Sequence, residues 1–300
     1  GCTSASTRQL TIAFDEGHGQ WETTRGSFDS ASYGRDTGYN YVLLAEWLAR
    51  RHVVTSLSEG WTSLDSDVVV LKMPSVAFSD EQTEAVIEFV GAGGLLLVIG
   101  DHTNLYGSAT YLNHVLRPFS IAIEPTALVP WDSDHFRYEP RWWQRNGYMR
   151  GIRAIDFQTS ASLKVWGLEP TPIIVADRAS AERADYSNDR FFGDIHPSVD
   201  DAMPPVVIAA DRRFGAGRVV VFTDSTIFSS FSLTSPGNLE LFQNFLEVGS
   251  TNAFPVWLGT LLVVGTTAAV VFRFASLGSV FAVVVFLAIP LGQRSEDASI

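Results

Sequence analysis

Polar and ionisable side chains stand directly after three apolar stretches of the chain, QLTIAF at 9–14, GGLLLVIG at 93–100 and RVVVFT at 218–223. These side chains belong to Asp15, Glu16, His18, Asp101, His102, Asn104, Asp224 and Ser225. If the three stretches are strands of one parallel sheet, the polar side chains share its carboxyl edge, where open α/β sheets bind ligands. The sequence therefore predicts a ligand-binding site built from these eight residues.

A divalent metal is one ligand that such a set could hold. Carboxylate oxygens and imidazole nitrogens are ordinary zinc ligands, so Asp15, His18, Asp101 and His102 are candidate metal ligands. Their spacing matches no recognised metal motif such as HExxH. The same residue types also brace loops, because aspartate accepts backbone N–H groups in turns. Metal binding and loop bracing both remain open interpretations of the sequence.

Nucleophilic catalysis is less well supported by the residues. The single cysteine, Cys2, lies at the terminus, so an internal disulfide and a CxxC metal site are excluded. Ser225 could be joined with His102 and Asp101 as a catalytic triad, but two sequence neighbours direct their side chains apart. The G-x-S-x-G elbow of serine hydrolases is absent from the sequence. We expect Ser225 to form a hydrogen bond at the start of a turn.

The elements that carry these residues follow a β-α-β-β-α-β order in the first third of the chain. Strands are predicted at 9–14, 52–56, 67–71 and 95–100, and helices over 38–51 and from the capping box S-x-x-Q at Ser79 to the glycine-rich end at 91–94. Later strands are predicted at 121–124, 162–166, 172–175, 205–210 and 218–223, with a short helix over 107–117, a hairpin turn over 211–217 and a last helix capped by Asn238. Strands that are apolar throughout indicate a parallel sheet covered on both faces.

An aromatic and charged insertion at 129–153 interrupts this pattern. It could form a stacking platform for a sugar or a protein, rest on a bilayer, or pack as a lid over the sheet.

Two uncharged stretches follow the α/β domain, at 254–272 and 274–292, with Arg273 between them. Each approaches the roughly 20 apolar residues that cross a bilayer, which predicts a transmembrane helical hairpin, although two buried core helices are the alternative. Arg273 favours a cytoplasmic turn and hence an extracytoplasmic globular domain. Gly1-Cys2 resembles the end of a bacterial lipobox. The predicted organisation is a tether at 1–7, an α/β domain at 8–249, two membrane helices within 254–292 and a tail at 293–300.

The charge balance restricts the partners. The net charge is −12, with 33 acidic residues against 21 lysines and arginines. A nucleic-acid surface needs the opposite balance, because phosphate binding depends on lysine and arginine. We therefore expect no nucleic acid as a partner, and a membrane with membrane-protein partners instead.

Three segments carry a resemblance: FDEGHGQ at 14–20, FSDEQTEAVIEFVGAGGLLLVIGDHTN at 78–104 and ADRRFGAGRVVVFTDSTIF at 210–228. Together they resemble DUF4350-type membrane proteins, which are grouped with the class I glutamine amidotransferase-like superfamily and with extracytoplasmic domains of gliding-motility ABC auxiliary proteins. The resemblance implies a flavodoxin-like three-layer sandwich with a mostly parallel sheet over 8–249.

The resemblance also implies where a nucleophile would stand. Catalytic members carry a cysteine after the strand equivalent to LLLVIG and a His-Glu pair after a later strand. This chain has Asp101 and His102 at the first position and Asp224 and Ser225 at the second. Glutaminase chemistry needs a thiolate and is therefore excluded. We expect a membrane-anchored, noncatalytic domain that binds a ligand or partner in a bacterial envelope or transport assembly; the alternative is a metal-dependent hydrolase.

Overall fold

The computed structural model describes residues 8–19, 21–25, 38–131, 136–141, 144–186, 196, 198–199 and 201–250. The predicted tether at 1–7, the membrane hairpin at 254–292 and the tail at 293–300 lie outside these residues. Within them, no helix is both long enough and apolar enough to span a membrane.

A seven-stranded sheet forms the centre of the described domain. In spatial order its strands are β10 (Thr171–Ala176), β12 (Val206–Phe214), β13 (Gly217–Phe222), β4 (Leu95–Ile99), β3 (Val68–Lys72), β1 (Thr11–Asp15) and β2 (Val53–Leu57). Strand β12 runs antiparallel to its two neighbours, and the other pairs are parallel. The predicted α/β class with a mostly parallel sheet is confirmed.

Helices cover both faces of the sheet. They are α1 (Val42–Ala49), α2 (Asp80–Gly91), α3 (Ser108–Leu116) and α4 (Asn238–Gly249). Side chains of α1 and α4 share one apolar core with alternate strand residues, and side chains of α2 and α3 share a second core with the residues between them. Strands β3 and β4 are buried at every position, because they are covered from both sides.

Local sequence signals predict some of the helix boundaries but not all of them. The predicted capping box of α2 is present, with Ser79 and Gln82 each accepting a backbone N–H from the other. Helix α1 is shorter than the predicted 38–51. The prediction that Asn238 caps the last helix is wrong. Gly237 occupies that position in a left-handed conformation, and the Asn238 amide instead donates to the Ser232 carbonyl at 2.9 Å.

Three short antiparallel pairs flank the sheet. They are β5 (Ile121–Ile123) with β9 (Leu163–Val165), β6 (Thr126–Pro130) with β11 (Ala179–Arg183), and β7 (Phe136–Tyr138) with β8 (Ile155–Phe157). The aromatic insertion at 129–153 contributes Tyr138 and Tyr148 to the core, whereas Trp131 is 51% exposed. The described part of the insertion therefore packs largely against the domain.

The strand order fixes where a ligand site is expected. Strand β2 lies on one side of β1 in the sheet, and the next strand in the chain, β3, lies on the other side of β1. The direction in which the sheet grows therefore reverses between β1 and β3. Loops that leave adjacent strands in opposite directions open a crevice at the carboxyl edge. Glu16 and Lys72 lie beside this reversal, and Asp101 and Asp224 follow the next two strands.

Candidate functional site

The predicted site residues reach the carboxyl edge of the sheet, but they do not form one site. Asp15 ends β1, whereas Asp101 follows β4, and β3 lies between them. Two strand spacings amount to about 10 Å. Among the described residues, no group of three or more histidine, cysteine, aspartate or glutamate side chains is arranged to hold a metal ion. The proposed convergence of Asp15 and His18 with Asp101 and His102 is not observed.

Asp15 and His18 bind each other in a buried network. His18 Nδ1 lies 2.9 Å from Asp15 Oδ2, and His18 Nε2 lies 3.1 Å from Gln82 Oε1. The same Gln82 oxygen accepts the Ser79 backbone N–H, which fixes the orientation of the amide. Both ring nitrogens of His18 therefore face acceptor oxygens, an arrangement that the imidazolium form satisfies.

The electrostatics of His18 agree with this protonation. Burial alone lowers the pKa of His18, but the hydrogen bond and charge of Asp15 outweigh it, helped by Gln82 and Glu59, so the pKa is raised. Asp15 Oδ1 also accepts the Trp61 indole N–H at 3.1 Å. Because Asp15 and Gln82 occupy both ring nitrogens of His18, neither nitrogen is available to a metal or a substrate, which favours a structural role.

A second group of acids lies on the other side of β3. Asp101 Oδ1 accepts the His102 backbone N–H at 2.7 Å, and its Oδ2 accepts both the backbone N–H and the hydroxyl of Ser225. Asp224 Oδ2 accepts the Gln158 backbone N–H at 2.7 Å. Because the Ser225 hydroxyl binds Asp101 directly, with no histidine between them, a Ser-His-Asp triad is not formed.

Glu22 joins this group and was not among the predicted site residues. It is 1% exposed, and neither of its carboxyl oxygens has a hydrogen-bond partner among the described residues. The hydroxyls of Tyr41 and Ser225 lie close to it, but Tyr41 donates to the Ser225 carbonyl at 2.8 Å and Ser225 donates to Asp101. Each hydroxyl has one proton, and that proton is already donated to another acceptor. A hydrogen bond between Glu22 and either hydroxyl therefore needs a protonated Glu22 as the donor.

We call Glu22, Asp101 and Asp224 the carboxyl cluster. Burial, followed by the charge of Asp101, raises the pKa of Glu22 to about 8. Burial also raises the pKa of Asp101, and burial together with the charge of Asp101 raises the pKa of Asp224 well above its usual range. Three adjacent buried carboxyls cannot all be ionised, because like charges in a low-dielectric interior repel strongly. The cluster therefore stores protons near neutral pH.

Glu16 and Lys72 lie beside the cluster and bind each other. Lys72 Nζ is 3.4 Å from Glu16 Oε1, and neither side chain is more than 4% exposed. Glu16 also accepts hydrogen bonds from Thr23 and Thr24, so it holds the loop that carries Glu22. The positive charge of Lys72 lowers the pKa of Glu22, although burial outweighs it.

The two remaining predicted residues have local partners. Asn104 Oδ1 accepts the Thr110 backbone N–H at 3.1 Å and thus braces the first turn of α3. His102 Nδ1 lies 2.8 Å from the Thr103 hydroxyl. Burial lowers the pKa of His102 against the opposing charge of Asp101, so the ring is neutral near neutral pH.

Five aromatic side chains form a continuous row beside the carboxyl cluster, which we call the aromatic rim. They are Tyr186, Tyr106, Trp21, Tyr39 and Phe231, and successive ring centroids are 6.1, 5.1, 5.8 and 4.8 Å apart. Tyr39 is 37% exposed, yet burial and the charges of Asp101 and Glu22 raise its pKa, so it reaches from solvent to the cluster. The rim could not be predicted from the sequence, because its members are widely separated in the chain and follow no period.

A family profile described as "Domain of unknown function (DUF4350)" matches residues 41–246. The chain belongs to the DUF4350 family. The match includes Tyr41, Lys72, Asp101 and Asp224, so most of the site lies within the DUF4350 domain, and the loop with Glu22 precedes the matched range.

Solved structures are similar to this DUF4350 domain at low identity. The N-terminal domain of mmIFT52 is similar at 15% identity with a TM-score of 0.53, over 81% of this chain and 99% of that one. A cytoplasmic protein from Salmonella typhimurium is similar at 13% identity with a TM-score of 0.44, over 80% and 98% of the two chains. A β-galactosidase from Rahnella sp. R3 is similar at 12% identity with a TM-score of 0.44, over 79% of this chain and 30% of that one. No curated protein matches the sequence of the chain.

Proposed function

We propose that this protein is a membrane-anchored, noncatalytic DUF4350 domain that binds a small ligand at the carboxyl cluster, as a component of a bacterial envelope or transport assembly. One observation carries the proposal. Glu22 is buried, its carboxyl oxygens accept no hydrogen bond from any described residue, and one oxygen of Asp224, which feels the charge of Glu22, has no partner among those residues either. Burying polar atoms without partners costs free energy, so such atoms at a sheet edge are typical of a place that a ligand completes.

The absence of a nucleophile from the sequence supports binding rather than group transfer. A flavodoxin-like, amidotransferase-like architecture would place its nucleophile after β4, where this chain has Asp101. Ser225 follows the neighbouring strand, and its hydroxyl proton is held by Asp101. Ser225 is fully buried and its hydroxyl has no histidine partner, so it lacks the exposed Ser-His arrangement of serine hydrolases.

The chemistry of the cluster favours an alkylammonium ligand. Its unpartnered acid oxygens accept N–H donors, and a bound cation would replace the protons stored there. The aromatic rim favours a cation as well, because ring faces attract ammonium groups. Neighbouring rim rings are inclined by 38° to 66°, so they can surround a small cation but offer no flat platform for a sugar ring.

Calorimetry with putrescine and its neutral analogue 1,4-butanediol tests this proposal. We expect the purified 300-residue chain to bind putrescine and not the diol, with affinity that rises with pH as the cluster loses its protons. Glu22→Gln should weaken binding by tenfold or more, while Glu46→Gln, at an exposed position of α1, should not change it. Equal binding of the diol, or unchanged binding by Glu22→Gln, would contradict the proposal.

Membrane anchoring and the extracytoplasmic position rest on the uncharged stretches at 254–272 and 274–292. Protease added to spheroplasts should digest residues 8–249. If those residues are shielded until the membrane is broken, the proposed orientation is wrong.

The metal-dependent hydrolase remains a separate proposal that metal analysis can decide. Zinc or manganese bound in a one-to-one ratio, and lost in His102→Ala, would support it.

A further inference from the structure

A cavity of about 580 Å³ opens at the opposite, amino-terminal end of the sheet. Leu10 and His52 enter it from the residues before β1 and β2. Trp47 of α1, Gln243 of α4 and Ser250 at the carboxyl end of α4 complete its wall. Because the carboxyl cluster lies beyond the other ends of these strands, the cavity is separate from the site described above.

Three arginines line this cavity, Arg8, Arg51 and Arg150, against a single acid, Glu247. This balance is opposite to that of the whole chain, whose net charge is −12. The carboxyl ends of α1 and α4 carry partial negative charge, so the positive character of the cavity comes from its arginines. The cavity is therefore a local positive site on an acidic protein.

The arginines are available to an anion. Arg51 is exposed and forms no ion pair with any described residue. Arg8 pairs with Asp67, and Arg150 pairs with Glu247, but the two arginine side chains are 68% and 66% exposed. Exposed ion pairs contribute little stability, so a phosphate can displace the carboxylates at small cost. Guanidinium groups bind phosphate oxygens in pairs, which makes arginine the preferred phosphate ligand.

The sequence that follows the cavity indicates the source of the phosphate. Ser250 lines the cavity, and the uncharged stretch 254–272 begins four residues later in the chain. Arginine guanidinium groups bind phosphate oxygens such as those of lipid headgroups, and tryptophan is enriched at the membrane interface. The cavity wall contains both residue types, as Trp47 and the three arginines.

We propose that the cavity binds the phosphate headgroup of an anionic membrane phospholipid. This inference rests on the membrane anchoring in the proposed function, and it is independent of the ligand at the carboxyl cluster. The arginines hold the phosphate, and Leu10, Trp47 and Leu246 contact the apolar part of the lipid next to the headgroup.

Thermal unfolding of the 300-residue chain in nonionic detergent micelles tests the inference. We expect added phosphatidylglycerol to raise Tm by about 5 to 10 °C at a hundredfold excess over Kd. Phosphatidylcholine and inorganic phosphate at the same concentrations should give less than a fifth of that shift. The double variant Arg51→Gln with Arg150→Gln should lose most of the shift.

Arg137→Gln is the matched control, since Arg137 is also an exposed arginine with acidic partners but does not line the cavity. It should keep the full phosphatidylglycerol shift. The inference is overturned by an equal shift with phosphatidylcholine, by a full shift in the double variant, or by an equal loss in Arg137→Gln. An equal shift with inorganic phosphate would assign the cavity to free phosphate instead. Carbonate extraction reports membrane anchoring separately, so failure of the anchor is distinguished from failure of the lipid site.

Discussion

Glu22 holds a proton in the folded protein at pH values where the unfolded chain has lost it. Burial and the charge of Asp101 raise its pKa from 4.5 to about 8. The folded state therefore binds the extra proton between these values, and stability falls as pH rises through this window, by up to about 1.4 kcal/mol per pH unit. The contribution is fully present below the unfolded pKa and lost above the folded one.

Glu22→Gln should remove much of this pH dependence, because glutamine resembles the protonated acid and cannot ionise. We expect the variant to match the wild type near pH 5 and to be more stable near pH 8.5, as measured by urea unfolding at each pH. Glu46→Gln should retain the wild-type slope. An unchanged slope in Glu22→Gln would show that Asp101 and Asp224, whose pKa values are also raised, account for the pH dependence.

His18 stabilises the fold through its buried ion pair with Asp15. Its folded pKa is raised above 6.5, so the contribution is complete below the unfolded pKa and is lost as pH rises through the folded pKa. His18→Ala leaves the buried Asp15 without its cation and should cost about 3 to 5 kcal/mol in chemical denaturation near neutral pH. His114→Ala breaks an exposed pair with Asp80 and should cost less than about 1 kcal/mol. A similar small loss in both variants would contradict the structural role of His18.

At the scale of elements, the loop after β1 fits only without side chains at two positions. A Cβ at Gly17 would lie 2.6 Å from the Glu59 backbone nitrogen, and one at Gly19 would lie 2.5 Å from the Met73 carbonyl oxygen. Gly17→Ala should therefore destabilise the protein by about 1 to 3 kcal/mol, because the backbone must move. Gly91, with no atom within 4 Å of an added Cβ, is the control; its alanine variant should be as stable as the wild type in the same thermal scan.

Elements with local signals could be predicted from the sequence, and those set by distant contacts could not. The capping box at Ser79 and the apolar strands β3 and β4 are encoded by neighbouring residues, and the structure has them. Asparagine is a common helix cap, but the Asn238 amide donates to Ser232 and Gly237 takes the cap position. This choice depends on tertiary packing, which the local sequence does not show.

The candidate site shows the same division. Asp101, Asp224 and Ser225 follow two apolar strands, which predicts that they share one edge of the sheet. They lie together in the structure because β4 and β13 are adjacent. Asp15 and His18 were assigned to the same site because sequence does not reveal that β3 separates β1 from β4. Glu22 follows no strand and no motif, so its burial could be known only from the fold.

At the scale of the whole molecule, the domain presents opposite charges at the two ends of its sheet. Carboxyl groups lie at the carboxyl edge, and the arginines of the cavity lie at the amino edge, where the chain continues toward the uncharged stretch at 254–272. Ser250, which lines the cavity, precedes this stretch by four residues in the chain, whereas the carboxyl cluster belongs to the opposite edge of the sheet. A ligand would then be bound away from the end that the lipid occupies.

Membrane anchoring itself can be tested by placing charge in the two uncharged stretches. Arginine at the centre of a membrane helix costs about 2.5 to 3.5 kcal/mol of insertion, so Leu262→Arg combined with Val285→Arg should prevent stable insertion of both. We expect the wild type to remain in the membrane pellet after alkaline carbonate extraction and the double variant to be released. Leu262→Ile with Val285→Leu keeps the hydrophobicity and should remain in the pellet. Release of the wild type would mean that the stretches at 254–272 and 274–292 do not span the bilayer and that both the anchoring and the lipid source of the phosphate must be abandoned.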